Sequence, residues 1–446
     1  MIVKTDAGQM GGLMDASPMS RAQISVLCIA VLLSMLDGFD LLGMAFVAPA
    51  LTKEWGLDKA TLGFLLSTSL IGMAIGSLIL SPFGDVVGRK PMVLGSIVLM
   101  IVGSLLSALC HTVPQLAACR ILTGVGMGTL IPLGTTIASE FASLRYRPLA
   151  IAATTIGLPA GSIVGGLIAS ILLEHVGWTS VFVSGAVAGA LLLPFVAWGL
   201  PESPAFLIAR RPKGALERLN RVLSRLGRPI VADMPVAPSG KRPAYRDLFA
   251  HELIGTTLRF VAIQILVSTT AYYLINWLPQ LVSDLGFPPS TGSLASAVSS
   301  VVGMVSGLTF GAIAARVGPA GLAAAGMIGF GLAIAAFGLV PPVFGLVLLA
   351  AAACGFFLNG CTGIFYATVA SGFPASSRVS GIGFVMGIGR VFSVAGPSMA
   401  GWMFASGLGR AEVSLIFGCA PILAGILLFS SGPRRNLPTT PAGVIA

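Results

Sequence analysis

Charged residues are scarce in this chain of 446 residues, since Asp, Glu, Lys and Arg together make up only 9% of it. A soluble domain usually carries about 25% charged residues. Hydrophobic residues make up 55% of the chain, and the mean hydropathy is +0.95. A water-soluble protein cannot bury so much apolar surface, because single cores stop growing beyond roughly 250–300 residues. The composition therefore excludes an ordinary soluble enzyme, and the scarcity of charge excludes a disordered chain.

Motifs of soluble catalysis and of metal binding are also missing. The chain contains no HExxH, no P-loop and no GxSxG motif, so no zinc hydrolase, ATPase or serine nucleophile is indicated. Its six cysteines form no CxxC pair, and its three histidines are scattered. We therefore expect no disulfide frame, no bound metal, no cofactor and no enzymatic activity.

Apolar segments long enough to cross a bilayer recur along the whole chain. A spanning helix needs about 20 mostly apolar residues. The twelve such segments are 24–49, 60–83, 91–110, 115–140, 147–171, 179–199, 253–279, 291–315, 319–340, 343–371, 378–404 and 411–431. The sequence thus predicts an all-α polytopic membrane protein, divided into an N-terminal segment 1–23, a six-helix half 24–199, a central loop 200–252, a second six-helix half 253–431 and a tail 432–446.

The distribution of Lys and Arg predicts the orientation of these helices. With the N-terminus in the cytoplasm, 20 of the 26 basic residues fall in cytoplasmic segments, three fall outside and three lie within helices. Cytoplasmic loops of membrane proteins collect Lys and Arg. We therefore expect a multi-pass membrane protein with both termini in the cytoplasm. This topology explains the net charge of +10 without a nucleic acid partner.

Part of the central loop has the pattern of an amphipathic helix. Four leucines recur at helical spacing, and four arginines lie off that stripe: Leu216, Leu219, Leu223, Leu226, Arg218, Arg221, Arg225 and Arg228. The pattern predicts a short helix that lies on the inner leaflet. A solvated linker with a basic face is the alternative.

The loop between the second and third predicted helices, residues 81–90, combines an acid with two bases. Opposite charges at the ends of two helices can pair and can hold one conformation of a moving bundle. The segment resembles the signature loop of the major facilitator superfamily, G-x-x-x-D-R-x-G-R-[RK], at Asp85, Gly88, Arg89 and Lys90. The first Gly and the Arg after the Asp are replaced here. The resemblance implies two pseudo-symmetric six-helix halves, with Asp85, Arg89 and Lys90 as gating residues, although plain topology also places bases in this loop.

Two carboxylates interrupt the first apolar segment. Asp37 and Asp40 lie three residues apart, and therefore on one face of a helix, in the sequence Asp-Gly-Phe-Asp. Acids are costly inside a membrane, and those that occur there usually face a cavity and mark a substrate or proton path. A structural ion pair with a buried Arg is the alternative.

The Asp-Gly-[Phe/Tyr]-Asp motif in this position resembles the aromatic acid:proton symporter family. The resemblance continues at Glu140 in the fourth helix and at Arg390 in the eleventh. It implies proton-coupled uptake, by alternating access, of a small aromatic carboxylate of the benzoate, hydroxybenzoate, gentisate or phenylpropionate type. Asp37, Asp40 and Glu140 are then the expected proton-coupling residues.

Other side chains within the helices are expected to bind this substrate. Arg390 and Arg120 lie on different halves, and a guanidinium holds a carboxylate through two parallel bonds. Aromatic rings can stack on a ring substrate. The remaining candidates are Phe39, Tyr272, Tyr273, Asn276, Asn359 and Tyr366. Core packing is their alternative role.

Two other functions of the same fold stay open at this point. A proton-coupled drug exporter would favour cationic or neutral substrates, and two arginines in the cavity argue against it. A porter of sugars or other neutral solutes is suggested only by the segment Pro201–Pro204, which resembles the PESP segment of several facilitator families. A membrane enzyme or sensor finds no support in any catalytic constellation. We expect the chain to act as a monomer in the bilayer.

Overall fold

The computed structural model describes residues 19–143, 145–235, 248–374 and 377–430. Residues 1–18, 236–247 and 431–446, which belong to the predicted terminal segments and central loop, lie outside the described residues. The helices in chain order are α1 Arg21–Trp55, α2 Lys59–Val87, α3 Arg89–Ala108, α4 Val113–Phe141, α5 Arg147–His175, α6 Thr179–Gly199, α7 Pro204–Arg210, α8 Ala215–Arg225, α9 Ile254–Ser283, α10 Pro289–Val317, α11 Pro319–Leu339, α12 Phe344–Gly372, α13 Arg378–Ser393, α14 Ala395–Ala405 and α15 Arg410–Phe429.

Twelve helices of the described chain are long and apolar enough to cross a membrane, which confirms the predicted number. The first half comprises α1–α6, and the second comprises α9–α15, in which α13 and α14 together form one span. The two short helices α7 and α8 lie between the halves in the sequence. The chain is thus a multi-pass helical membrane protein.

The first helix is fixed at both ends and packs closely at its centre. Ser20 Oγ accepts a hydrogen bond from the Gln23 backbone N–H, and Gln23 Oε1 accepts one from the Ser20 N–H. This capping box satisfies two backbone donors of the first turn. The helix ends at Gly56, whose φ of +61° is a left-handed conformation that glycine adopts without strain. A Cβ at Gly38 would lie 2.0 Å from the Leu158 carbonyl oxygen, so α1 meets α5 backbone to backbone beside the two acids.

The predicted leucine stripe of the central loop packs against other helices of the protein. This packing differs from both interpretations of the sequence, a helix on the inner leaflet and a solvated linker. Leu219, Leu223 and Leu226 are buried in the same hydrophobic cluster as Val26 of α1 and Phe141 of α4. The arginines off the stripe divide into two groups. Arg218, Arg221 and Arg225 are exposed, whereas Arg228 is buried and donates to Gln23 Oε1 at 2.8 Å. The predicted short helix is present, but its apolar face packs against α1 and α4 of the protein.

Polar contacts join the two halves at one end of the bundle. We call the end that carries α7, α8 and the α2–α3 loop the basic end, and the other end the opposite end. Lys59 Nζ, at the start of α2, contacts Asp284 Oδ2, just after α9, at 2.5 Å. Thr52 Oγ1 of α1 lies 3.5 Å from Gln280 Oε1 of α9, and Gln280 Nε2 donates to Asp284 Oδ1 at 2.8 Å. All these residues lie at the opposite end.

Backbone packing strengthens the same junction. A Cβ at Gly63 of α2 would lie 2.8 Å from the Gly401 Cα of α14, and a Cβ at Gly401 would lie equally close to the Gly63 Cα. One turn further along α2, the Ser67 hydroxyl donates to the Val394 carbonyl at 2.9 Å and accepts from Ser398 Oγ at 2.7 Å. These contacts also lie toward the opposite end, so the two halves are held together there.

The Lys59–Asp284 ion pair predicts how this junction can be loosened. Its side chains are 31% and 38% exposed, and an ion pair with this exposure contributes roughly 0.2–1 kcal/mol. We expect Asp284→Asn to increase the population open at the opposite end by about 1.5- to 5-fold. The readout is the rate at which a maleimide labels a cysteine introduced at Ser398. The charge-exchanged variant K59D/D284K should return the rate toward that of the parent, and an unchanged rate in Asp284→Asn would contradict the prediction.

Candidate functional site

Asp40 is anchored within the first half by two helices. Its Oδ1 accepts a hydrogen bond from Ser104 Oγ of α3 at 3.2 Å, and its backbone carbonyl accepts one from Arg120 Nη2 of α4 at 2.9 Å. Arg120 is fully buried, donates through Nε to Ser69 Oγ at 3.2 Å, and lies 5.1 Å from the centroid of the Phe182 ring. A buried charge is tolerated when it is paired and hydrogen-bonded. Arg120 therefore bonds the backbone of Asp40 and acts on its carboxylate electrostatically, within one half.

Asp37 lies one turn before Asp40 and has a different environment. The residue is 1% exposed, and neither carboxylate oxygen has a hydrogen-bond partner within the described parts of the chain. The strongest charged influence on it comes from Arg390 of α13, in the other half, followed by Asp40. An unpartnered buried carboxylate is costly, so this group is the one expected to change its charge or its partner.

Arg390 lines a solvent-accessible space between the halves, which we call the cavity. Its guanidinium interacts electrostatically with Tyr272 of α9 and Tyr366 of α12 as well as with Asp37. Tyr366 keeps 38% of its surface exposed, and Arg390 is partly exposed, so solvent reaches this group. The structure therefore places Asp37, Tyr272 and Tyr366, three of the expected site residues, near Arg390.

Gln264 of α9 belongs to this cavity although the sequence analysis did not select it. Its side chain is within hydrogen-bonding reach of the Tyr366 hydroxyl, and its Nε2 donates to Ser268 Oγ at 2.8 Å. A Cβ at Gly389 would lie 2.5 Å from Gln264 Cγ, so α13 approaches α9 directly before Arg390. A single amide inside an apolar segment is a weak signal, because the sequence does not show which helix faces it.

Two residues of α9 that were expected to bind substrate are engaged elsewhere. The Tyr273 hydroxyl lies 3.0 Å from Ser414 Oγ of α15, and its ring stacks on Phe417 with centroids 4.2 Å apart. Asn276 is 2% exposed, and its Nδ2 donates to the Tyr272 carbonyl of its own helix at 2.9 Å. Tyr273 and Asn276 therefore stabilise the second half, and the structure does not place them beside Arg390.

Phe39 and Asn359 also pack away from Arg390, each against glycines of a neighbouring helix. The Phe39 ring lies against Gly165 of α5 and Gly185 of α6, where a Cβ would approach it to 2.9 and 3.1 Å. Asn359 Nδ2 donates to a carbonyl of its own helix at 3.1 Å and lies against Gly303 of α10. The rotation of each helix about its own axis decides which neighbours these two side chains contact. The sequence pattern alone does not determine that rotation.

The gating residues form an ion cluster at the basic end. Arg89 Nη2 contacts Asp85 Oδ1 and Glu140 Oε1, each at 3.0 Å, and Arg89 Nη1 donates to the Gly84 carbonyl at 3.2 Å. The Ser203 hydroxyl donates to the second Glu140 oxygen. Glu140 therefore lies with the gating residues and away from Asp37 and Asp40.

Glu202 completes this cluster and was also missed. Its Oε1 accepts from the backbone N–H groups of Arg89 and Lys90 at 2.9 and 3.3 Å, so it caps the N-terminus of α3, where a negative charge is favourable. The Lys90 ammonium donates to the Ala197 carbonyl of α6 at 2.6 Å. A Cβ at Gly88, whose φ is +117°, would lie 2.5 Å from Glu202 Oε2. The PESP segment thus binds the α2–α3 loop at the basic end.

Comparisons with known proteins agree with this architecture. A family model described as Major Facilitator Superfamily matches residues 27–321 and 260–444. A gallate transporter of Pseudomonas putida is 30% identical over 433 residues, which cover 96% of either chain. The 4-hydroxybenzoate transporter PcaK of the same species is 32% identical over 86% of either chain. A 3-(3-hydroxy-phenyl)propionate transporter of Escherichia coli is 28% identical over 94% of this chain and 96% of its own.

Solved structures share the fold. The xylose transporter XylE of E. coli in an inward open conformation superposes with a TM-score of 0.72, covering 92% of this chain and 96% of that chain. A crystal structure of a D-xylose-proton symporter gives a TM-score of 0.71 over 91% and 97%. Identities of 16% and 18% limit the likeness to the fold.

The Gly88 geometry predicts a stability difference between two glycines that lie close together. We expect Gly88→Ala to destabilise the protein by about 1–3 kcal/mol, because it strains the backbone and displaces Glu202. Gly95→Ala, within α3 and with open space at its Cβ position, is the matched control and should be neutral or stabilising by up to about 1 kcal/mol. Thermal unfolding in detergent measures both variants. Equal stabilities would show that the Glu202 cap does not constrain this loop.

Proposed function

The chain belongs to the Major Facilitator Superfamily, and we propose that it imports a small aromatic carboxylate together with a proton. Its relatives in sequence are named as transporters of gallate, 4-hydroxybenzoate and hydroxyphenylpropionate. All three of these compounds carry a carboxylate and an aromatic ring with at least one hydroxyl. The cavity at Arg390 offers a fixed cation, two tyrosine rings and an amide, which suit such a molecule. A neutral sugar would carry no charge with which to engage the Arg390 guanidinium.

The observation that carries the proposal is the unpartnered Asp37 carboxylate opposite Arg390. In this mechanism the Asp37 carboxylate of the empty protein is ionised and lies in the electrostatic field of Arg390 across the two halves, although the described residues show no salt bridge between the two. A substrate carboxylate replaces Asp37 as the counter-charge of Arg390, because a guanidinium holds a carboxylate through two parallel bonds. Asp37 then lies buried beside another anion, which favours its protonated form. Substrate and proton are therefore bound together, and both leave when the cavity opens to the cytoplasm.

The two acids of α1 have separate roles in this mechanism. Asp40 keeps its partners Ser104 and Arg120, which belong to the same half and move with it. Asp37 faces a partner in the other half, so its environment changes whenever the halves move. We assign proton coupling to Asp37 and the positioning of α1 to Asp40. Glu140 acts with Arg89 in the gate.

Electrical work favours this coupling. Moving a monoanion into a negative interior costs about 2.3 kcal/mol per 100 mV. A proton that moves with it cancels the net charge, so the membrane potential no longer opposes uptake. A pH gradient then contributes about 1.4 kcal/mol per pH unit toward accumulation.

The proposed orientation places the basic end in the cytoplasm of a bacterial inner membrane. Exposed arginines cluster at that end, as the positive-inside rule requires. The junction between the halves at Lys59–Asp284 and Gly63–Gly401 then lies on the outer side. In this orientation we propose that the described state is closed to the outside and that uptake requires this junction to separate.

The role of Asp37 predicts a specific loss of coupling. We expect Asp37→Asn to abolish concentrative uptake of labelled 4-hydroxybenzoate while preserving exchange of internal for external substrate, since exchange needs no net proton movement. In the parent, uptake should rise as the external pH falls, because the loaded state requires a protonated Asp37. The variant should lose this dependence. Asp40→Asn is the comparison variant and should reduce uptake and exchange together. Protonophore-sensitive accumulation by Asp37→Asn would contradict the assignment.

Gln264 predicts selectivity for ring hydroxyls. We expect Gln264→Leu to raise the KM for 4-hydroxybenzoate by about 3- to 10-fold, the effect of one lost hydrogen bond. The KM for unsubstituted benzoate, which has no hydroxyl to bind, should change little. Competition of each acid against labelled substrate measures the ratio. An equal change for both acids would assign Gln264 to packing around Tyr366.

A further inference from the structure

Two cysteines distant from the transport cavity lie in direct contact. Cys110 follows the end of α3, and Cys119 lies in the second turn of α4. Their Sγ atoms are 3.7 Å apart, and the Cys110 thiol also lies 3.2 Å from the Leu106 carbonyl oxygen. Cys110 is 6% exposed and Cys119 is half-buried, beneath a short connection in which Leu109 and His111 are exposed. The sulfur pair therefore closes the α3–α4 turn at the opposite end.

This turn lies on the outer side of the membrane in the proposed orientation. The periplasm is an oxidising compartment in which disulfides form and persist. The four remaining cysteines have no such pairing, since a sulfur–sulfur contact is found for Cys110 and Cys119 alone among the described residues. Sequence spacing did not reveal the pair, because eight residues separate the two cysteines and no motif contains them.

We infer that Cys110 and Cys119 form a disulfide bond in the cell. An S–S bond forms between their Sγ atoms, and the S–S bond of an oxidised protein or small-molecule disulfide is cleaved in exchange. The two cysteine thiols are oxidised, and the two thiols released from the oxidant take up their protons. The inference rests on the proposed function only for the side of the membrane on which the turn lies.

The position of the bond gives it a structural consequence for the site. Ser104 of α3 and Arg120 of α4 hold Asp40 from two sides. Cys110 lies six residues after Ser104, and Cys119 directly precedes Arg120. A disulfide therefore fixes the two helices that position the Asp40 region of α1. Burial raises the pKa of the Cys110 thiol, which makes this sulfur a poor leaving group once the bond has formed.

Counting free thiols tests the inference. Cells are quenched with acid, and the denatured protein is treated with maleimide-polyethylene glycol before or after reduction. Because the chain has six cysteines, we expect four additions before reduction and six after it. Cys110→Ser and Cys119→Ser should each show five additions in both conditions. Cys28→Ser is the matched control and should change from three to five.

The outcomes separate this inference from the orientation on which it rests. A reporter fused after His111 records the side of the membrane independently. Six additions before reduction, with an external reporter, would overturn the disulfide alone. Six additions with an internal reporter would overturn the orientation and the disulfide with it. Reduction should also lower the melting temperature of the purified parent by several degrees and leave C110S/C119S unchanged.

Discussion

Two carboxylates in the middle of a membrane-spanning helix are the constraint on which the rest of this molecule depends. Asp37 and Asp40 are both buried, and each needs a compensating positive charge in a medium that solvates ions poorly. Arg120 lies beside Asp40 and bonds the backbone of that residue, whereas Arg390 lies opposite Asp37. The first pair belongs to one half and the second pair joins the halves. In the proposed mechanism, the first charge positions the helix and the second responds to the substrate.

The polar clusters at the two ends follow a similar division. At the basic end, Arg89 joins Asp85 and Glu140 within the first half, and Glu202 ties α7 to the start of α3. At the opposite end, Lys59 and Asp284 join one half to the other. The basic-end cluster thus ties the first half to its loop helices, and the opposite-end contacts tie one half to the other. In the proposed mechanism, movement between states requires the contacts between the halves to break.

Hydropathy and the positions of charges predicted the twelve helices and the location of two acids inside the first of them. Both predictions follow from the exclusion of water from the bilayer and depend little on tertiary packing. The cavity was predicted only in part. Tyr272 and Tyr366 lie near Arg390, whereas Tyr273 and Asn359 pack against neighbouring helices. The sequence could not distinguish these two groups, because a helix that is apolar on all faces gives no indication of its rotation about its own axis. Gln264 and Glu202 have isolated positions in the sequence and gain their roles only from the helices that pack against them. The leucine stripe of α8 was recognised, but its protein partner was not.

The central claim is that substrate replaces Asp37 as the partner of Arg390 and that Asp37 then takes up a proton. Calorimetric titration of the purified protein with 4-hydroxybenzoate, in pairs of buffers with different ionisation enthalpies, measures the protons bound per substrate. The titration is repeated at pH values from about 5 to 9, because burial can move a carboxyl pKa into this range. Within this scan we expect the proton uptake to approach one per substrate. We expect none in Asp37→Asn and a retained uptake in Glu140→Gln. Equal proton uptake by the parent and Asp37→Asn, or none by the parent at any pH, would contradict the account.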